Sequence, residues 1–361
     1  MKQNLDIIPL KDWLGKDSLP MIIAGPCSAE TEEQVLSTAR EIAKINGVKI
    51  YRAGLWKPRT RPKQFEGVGE KGFAWLKKVK EETGLLITTE VATPHHVEAC
   101  LKNDIDILWI GSRTVVNPFS VNEITESLKG VDIPVMVKNP INPDINLWLG
   151  ALERVNFVGI KKIIAIHRGF YALRKSVFRN PPMWEIPIEL KRIAPNLPII
   201  TDPSHICGNR KMLFHISQKA FDLEMNGLMI ESHINPANAK SDAEQQIVPK
   251  ELNKLLSKIE FRKSSGSAEF QNKLSQLRSE IDGIDNDLID ILSSRMDTIK
   301  EIGKFKRKNK ITILQLKRWS HIIENRINNG IDKGLNKEFL IKLLELVHIE
   351  SIRIQNEIMN K

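Results

Sequence analysis

Met21-Ile22-Ile23-Ala24-Gly25-Pro26-Cys27-Ser28 is a short apolar run that ends in a Gly-Pro turn and delivers a thiol just beyond it. Its length and composition are those of a buried strand. Seven further runs of the same kind lie near 47–53, 84–90, 105–111, 133–138, 162–167, 198–202 and 227–231. Together with 20–25 they make eight β-branched, apolar segments bounded by turn signals. Most of the intervals can hold a helix, for example 32–46, 69–83 and 94–103. Strand and helix alternating eight times over about 250 residues predicts an α/β fold, a (β/α)₈ barrel of the TIM type. The runs are continuously apolar rather than alternating, as expected of strands covered on both faces.

The chain has 361 residues, enough for one large domain and a small one. No apolar stretch approaches the roughly 20 residues that cross a bilayer, and the first residues lack a basic-then-apolar signal segment. Three cysteines without paired spacing argue against a disulfide framework, so a reducing cytoplasm is the expected compartment. The net charge of +10 could serve nucleic acid, a membrane surface or small anions. Only Lys304-Phe305-Lys306-Arg307-Lys308-Asn309-Lys310 is a dense basic run, and elsewhere the cations sit singly, many at strand ends. That scatter predicts pockets for phosphates and carboxylates, with no nucleic-acid or membrane partner.

Composition changes at 261–269, where Arg262-Lys263-Ser264-Ser265-Gly266-Ser267-Ala268 reads as a flexible linker. The expected division is therefore a barrel over 1–260, a linker over 261–270 and an all-helical domain over 271–361. Beyond the linker, Leu274, Leu277, Ile281, Ile284, Leu288, Ile291, Ile299 and Ile302 mark one long amphipathic helix with a coiled-coil-like seam. Two more helical stretches follow, near 314–329 and 337–359, with Gly330 and Gly334 between them. Three helices make a thin core, and such a domain is expected to dimerise to bury its seam.

In a (β/α)₈ barrel the chemistry gathers where the strands end. Those ends carry Cys27, Arg52, Lys57-Pro58-Arg59-Thr60, Glu90, Arg113, Lys138, His167-Arg168, Asp202, His205 and Glu231. Taken alone, Cys27 reads as a packed core thiol. With His205, Glu231 and Asp242 at or just past strand ends, it becomes part of a possible ligand set. One soft, one imidazole and two carboxylate ligands suit a catalytic divalent transition metal better than a structural zinc site. Any one of the cations could simply pair with a local carboxylate. The whole ring offers too few acids for that once the metal ligands are removed, and convergent Arg and Lys suit a substrate bearing phosphate and carboxylate. His95-His96 reads as a surface or capping pair at a helix start, and Cys100 and Cys207 as structural.

Residues 20–250 resemble a type I 3-deoxy-D-arabino-heptulosonate 7-phosphate synthase. The likeness is carried by Gly25-Pro26-Cys27-Ser28, Tyr51-Arg52-Ala53-Gly54, Lys57-Pro58-Arg59-Thr60, Gly111-Ser112-Arg113-Thr114, Val137-Lys138-Asn139, His167-Arg168-Gly169, Asp202-Pro203-Ser204-His205 and Ile230-Glu231-Ser232-His233. The resemblance implies a divalent metal (Mn²⁺, Fe²⁺, Co²⁺ or Zn²⁺) on Cys27, His205, Glu231 and Asp242. It assigns phosphoenolpyruvate to Arg52, Lys57, Arg113, Lys138 and Arg168, and erythrose 4-phosphate to Arg59 and Thr60, with Asp202 beside the sugar phosphate and the metal. Lys57 or the metal-bound water is the expected proton handler. The related 3-deoxy-D-manno-octulosonate 8-phosphate synthases are the alternative, but they carry a Lys-Ala-Asn-Arg-Ser loop where this chain has Lys57-Pro58-Arg59-Thr60.

The helical part resembles the all-helical chorismate mutases through Leu277-Arg278-Ser279-Glu280-Ile281-Asp282, Asp285, Leu292, Arg295, Ile302-Gly303-Lys304 and Ile349-Glu350-Ser351 with Gln355. That implies a chorismate pocket of Arg278, Arg295, Lys306, Arg318, Ser351 and Gln355, with Arg278 reaching in from a dimer partner. Lys306 and Gln355 would stabilise charge building on the ether oxygen. Gln315 and Trp319 depart from the acidic residues usual around Arg318, which opens the rival expectation of a regulatory or dimerising module. No ferredoxin-like regulatory domain is expected before residue 20. Fusion of an early and a later step of one route implies feedback by prephenate or chorismate.

Overall fold

The apolar runs become eight parallel strands: β1 (Met21–Gly25), β2 (Val48–Arg52), β3 (Leu86–Val91), β4 (Ile107–Ile110), β5 (Val135–Lys138), β6 (Ile163–His167), β7 (Ile199–Thr201) and β8 (Gly227–Glu231). They pair in chain order and close, β1 on β8, with Met21 opposite Gly227 and Gly25 opposite Glu231. The computed structural model describes residues 5–15, 19–59, 61, 63–173, 176–263, 265–314 and 316–360, and the side chains of 316–323 lie outside what it describes. The expected barrel followed by helices is the observed fold.

Every strand is buried on both faces, so the two-residue repeat divides each between two cores. On β1, Met21 and Ile23 point inward and join Ile50, Trp109, Ile164, Ile200 and Met229 in the barrel interior. Ile22 and Ala24 point outward into the layer between sheet and helices. The interior core also takes Leu10 from the short helix Leu10–Trp13, with Trp13 and Leu14 packed against it. The periodic pattern had given no hint of this contribution, because a four-residue helix is too short to show a period.

The helices start where their side chains can cap them. Thr31, Thr93 and Asp144 each accept from a backbone N–H in the first turn, at Gln34, His96 and Leu147. Of the two histidines after Thr93, His95 pairs with Glu70 on the surface at 3.0 Å. His96 does more than cap: its ring stacks on Trp56 with centroids 3.9 Å apart.

The chain divides into two compact units, 1–262 and 263–361. In the second, helices Ala268–Lys308, Leu316–Asp332 and Lys337–Met359 replace the strands. The first begins inside the stretch read as linker, because Ser267 caps it by accepting from the Phe270 N–H. Its C-terminal half lies against the last helix, where Gly303 is buried and a Cβ there would meet Ile358 at 3.3 Å. Its N-terminal half leaves Leu277, Ile281, Ile284, Leu288 and Ile291 exposed.

Gly25 is the backbone position on which the barrel mouth turns. Its φ is +147°, and an added Cβ would lie 2.0 Å from the Arg52 carbonyl oxygen on β2. Gly25→Ala is expected to destabilise the barrel by roughly 3 kcal/mol or more through strain and overpacking. Urea unfolding followed by circular dichroism measures it; an unchanged midpoint would contradict the close approach.

Candidate functional site

The end of β1 places Cys27 at the mouth, where its N–H donates to Gln246 Oε1 at 3.0 Å. One donor atom each from Cys27, Glu231 and Asp242 lie within 4.8 Å of one another. The thiol is 3.3 Å from Asp242 Oδ2, and Lys57 Nζ donates to it at 3.1 Å. His205 stands at the edge of this group, with Nε2 3.8 Å from Glu231 Oε1 and Nδ1 2.8 Å from Asp202 Oδ2. The structure thus gathers three of the four expected ligands tightly and leaves the imidazole facing one of them. Burial, reinforced by the Glu231 carboxylate, pushes the Cys27 thiol up to about 12. Burial would also raise Asp242, but His205, Arg179 and Lys57 hold it below the usual carboxylate range. A buried thiol, an imidazole and two carboxylates fit a divalent transition ion, whose binding expels the thiol proton.

Around this group lies the cation ring. Arg52 is fully buried, donates to Glu231 Oε1 at 3.1 Å and sits 5.1 Å above the Trp109 ring. Lys138 donates to Asp202 Oδ2 at 2.9 Å. Burial would raise Asp202, yet His205, Lys138 and Arg52 keep it well below the ordinary range. Three cations therefore do have carboxylate partners: Arg52, Lys138 and Arg179. Two of those partners, Glu231 and Asp242, are among the proposed metal ligands, which the count of acids from sequence had set aside. Arg168 has no such partner among the described hydrogen bonds: its Nη1 is buried without one, and burial, with Arg179 and Arg113 adding to it, pulls it down to about 10. A half-buried guanidinium in a cavity wall, with a buried donor left unpaired among the described residues, is a place for an anion.

A cavity of roughly 250 Å³ opens above these groups, lined by Lys57, Arg59, Arg113, Lys138, Arg168, His205 and Asp242. Arg113 Nη1 donates to the Pro58 carbonyl at 3.3 Å and Arg59 Nε to the Phe65 carbonyl at 2.7 Å, so the Lys57–Arg59 loop is tied to β4's end. Thr60 lies outside the described residues. Glu90, Tyr171 and Arg179 line the same cavity. Arg179 went unassigned because it follows β6 by a dozen residues, in a stretch with no periodic signal. Trp109 was hidden for the opposite reason, being one more apolar residue in an apolar strand, although Glu90 accepts from its Nε1 at 3.1 Å.

Residues 6–265 match the family model described as DAHP synthetase I family. The chain belongs to the DAHP synthetase I family. Residues 277–356 match a second model, chorismate mutase type II, so two enzyme families are joined in one chain. A phospho-2-dehydro-3-deoxyheptonate aldolase of Thermotoga maritima is 32% identical over 226 residues, which are 63% of this chain and 64% of that protein. The chain thus spans a little under two thirds of that relative's length. A 2-dehydro-3-deoxyphosphooctonate aldolase of Paraburkholderia xenovorans is 26% identical over 262 residues, covering 63% of this chain and 85% of that one. The crystal structure of a DAHP synthase from Thermotoga maritima superposes with a TM-score of 0.61 at 28% identity, over 71% of this chain and 76% of the other.

In the helical unit, Arg295 donates to Ser351 Oγ at 2.7 Å and Gln355 Nε2 to the Ser351 carbonyl at 3.1 Å. Gln355 Oε1 is buried with no hydrogen-bond partner among the described residues. Lys306 donates to the Ile313 carbonyl at 2.6 Å. Arg295, Ser351 and Gln355 are thus brought together. Arg278 is exposed, and 17 residues of straight helix put it about 25 Å from Arg295. The side chains of Arg318 and Trp319, and Gln315 as a whole, lie outside the described residues.

His167, behind Arg168, is fully buried and bonded to the Pro182 carbonyl through Nε2 at 2.6 Å; burial drags it from the ordinary 6.5 to about 4. The unfolded chain therefore binds an extra proton between those values, so stability rises with pH there. The contribution is complete above pH 6.5 and is lost as pH falls to about 4, roughly 3 kcal/mol in all. His167→Gln is expected to flatten the stability–pH slope by about that amount in urea titrations at pH 7 and 4.5; an unchanged slope would contradict a neutral buried imidazole.

Proposed function

We propose that the barrel condenses phosphoenolpyruvate and erythrose 4-phosphate, with water, to 3-deoxy-D-arabino-heptulosonate 7-phosphate and phosphate. The observation that carries this is the buried group of Cys27, Glu231 and Asp242, with His205 beside it, at the floor of a cavity ringed by Lys57, Arg59, Arg113, Lys138 and Arg168. Cys27, His205, Glu231 and Asp242 would hold a divalent ion of the Mn²⁺, Fe²⁺, Co²⁺ or Zn²⁺ type, which supplies Lewis acidity toward the aldehyde. Arg168, with its unpaired donors, and Lys138, Arg113, Arg52 and Lys57 hold the phosphate and carboxylate of phosphoenolpyruvate so that C3 faces the aldehyde. The same fixed cations stabilise the charge that shifts as C3 bonds the aldehyde carbon, water adds at C2 and phosphate leaves. Arg59, with Thr60, takes the sugar phosphate, and Asp202 orients His205 and Lys138. Lys57, poised on the thiol, is the proton handler. The Lys57-Pro58-Arg59-Thr60 loop favours the four-carbon sugar over arabinose 5-phosphate, despite the likeness to octonate aldolases.

We propose that the helical unit rearranges chorismate to prephenate. Arg295 and Ser351 would bind a carboxylate, Lys306 and the buried Gln355 the ether oxygen, and Arg318 and a partner's Arg278 complete the pocket. The exposed apolar face over 277–291 supports a homodimer, which also brings a second Arg278 within reach. Prephenate or chorismate bound there would inhibit the condensation, a coupling between two sites in one chain.

Cys27→Ser is expected to abolish condensation and leave chorismate conversion intact, while Arg295→Ala does the reverse, lowering mutase turnover by at least 100-fold, about 2.7 kcal/mol. Assays of both reactions on both full-length variants, with and without chelator, check this. Condensation that survives chelation and Cys27→Ser would refute the barrel reading, and chorismate left unconverted by the intact enzyme would refute the mutase reading. Synthase assays with added prephenate test the coupling, which a rate unchanged at saturating effector would contradict.

A further inference from the structure

The stretch 176–180 does not stand free after β6. Arg179 N–H donates to the Cys207 carbonyl at 3.3 Å and Asn180 N–H to the Ile206 carbonyl at 3.1 Å. Asn180 Nδ2 donates to the His205 carbonyl at 2.6 Å, so the stretch is stitched along the backbone of the helix that carries His205. A Cβ on Gly208, which closes that helix at φ +66°, would lie 2.4 Å from Arg179 Cβ. From this anchored backbone the Arg179 guanidinium reaches across the mouth. Its Nη1 donates to Asp242 Oδ1 and to Gln245 Oε1, both at 2.9 Å. Gln245 Nε2 in turn donates to Glu231 Oε2 at 2.7 Å.

We propose that Arg179, with Gln245, is the positioning residue that holds three ligand-bearing segments in one geometry for a divalent ion. The proposal rests on the reading of Cys27, His205, Glu231 and Asp242 as ligands given above. Asp242 needs such a restraint, because it sits at φ +48°, a left-handed conformation unusual for a residue with a side chain. With Oδ1 taken by Arg179, Oδ2 is the oxygen left facing Cys27 at 3.3 Å. Gln245 fixes Glu231 through Oε2, while Oε1 accepts from Arg52 at 3.1 Å and lies 3.8 Å from His205 Nε2. A guanidinium near a cation also repels it. The Arg179 side chain is 48% exposed, so water screens that repulsion, whereas Glu231 is wholly buried and Asp242 mostly so, and their orientation is not averaged by solvent. Orientation therefore outweighs repulsion, and loss of such an outer partner costs 10–100-fold in metal affinity.

The test is Co²⁺ titration of the metal-stripped full-length protein, read by the thiolate-to-cobalt absorption band and the dissociation constant. Arg179→Ala is expected to weaken Co²⁺ by about 10–100-fold and shift the band, and Gln245→Ala to weaken it in the same direction. Arg179→Lys, which keeps the charge and one contact, is expected to recover part of the loss. Cys27→Ser, run alongside, removes the band. If Cys27→Ser weakens binding while Arg179→Ala and Gln245→Ala bind Co²⁺ as well as the parent or better, the bracing role is overturned and the ligand set stands. If Cys27→Ser also leaves Co²⁺ binding unchanged, the ligand reading itself is overturned, and the brace with it. Should Arg179→Ala lose its circular dichroism spectrum, Gln245→Ala and Arg179→Lys decide the matter by the same criteria.

Discussion

Everything at the barrel mouth follows from the need to balance buried charge. Glu231, Asp202 and Cys27 are wholly buried and Asp242 is half-buried beside them, within a region that also buries Arg52 and Lys138. Charges taken out of water at this depth persist only when paired with good geometry. The pairs found here, Arg52 with Glu231, Lys138 with Asp202 and Arg179 with Asp242, meet that need across strands distant in the chain. A closed barrel is what brings them together. Cys27 on the first strand and Glu231 on the last become neighbours because β1 pairs with β8, Gly25 opposite Glu231.

That balance is uneven, and the unevenness is where ligands fit. The two carboxylates beside the thiol are already paired with Arg52 and Arg179, and Lys57 donates to the thiol itself, which burial keeps neutral; the negative charge a metal would need is the one this thiol would gain on losing its proton. Among the described residues, Arg168 and part of Arg52 have donors left over, so the cavity has room for negative charge. A floor of thiol and carboxylate donor atoms beneath a wall with guanidinium donors to spare suits a metal below and anionic groups above. In the helical unit, Gln355 Oε1 is buried without a partner among the described residues, beside the Arg295–Ser351 pair.

Much of this was legible in the sequence, for a physical reason. Strands buried on both faces leave unbroken apolar runs, and the polar residue that interrupts each run marks the strand's end, as Arg52, Lys138 and Glu231 do. What stayed illegible lacked such a pattern. Arg179 comes from an irregular stretch, and only the folded backbone aims it at Asp242. Gln245 follows a carboxylate in a loop and looks like any surface amide, yet it is buried. Trp109 is indistinguishable by pattern from its apolar neighbours, although two cations face its ring. Leu10 and its short helix carry no period. On the helical side the heptad-like spacing placed the long helix well, but not its start, because Ser267 caps it within what reads as linker.

Cys27 comes from a strand end where a thiol would ordinarily serve core packing, and the role proposed for it is that of a metal ligand. X-ray absorption at the zinc edge of the Zn²⁺-loaded full-length protein tests it directly. One sulfur scatterer at about 2.3 Å is expected, with nitrogen and oxygen ligands at about 2.0–2.2 Å. A first shell of nitrogen and oxygen alone, with no sulfur, would contradict it.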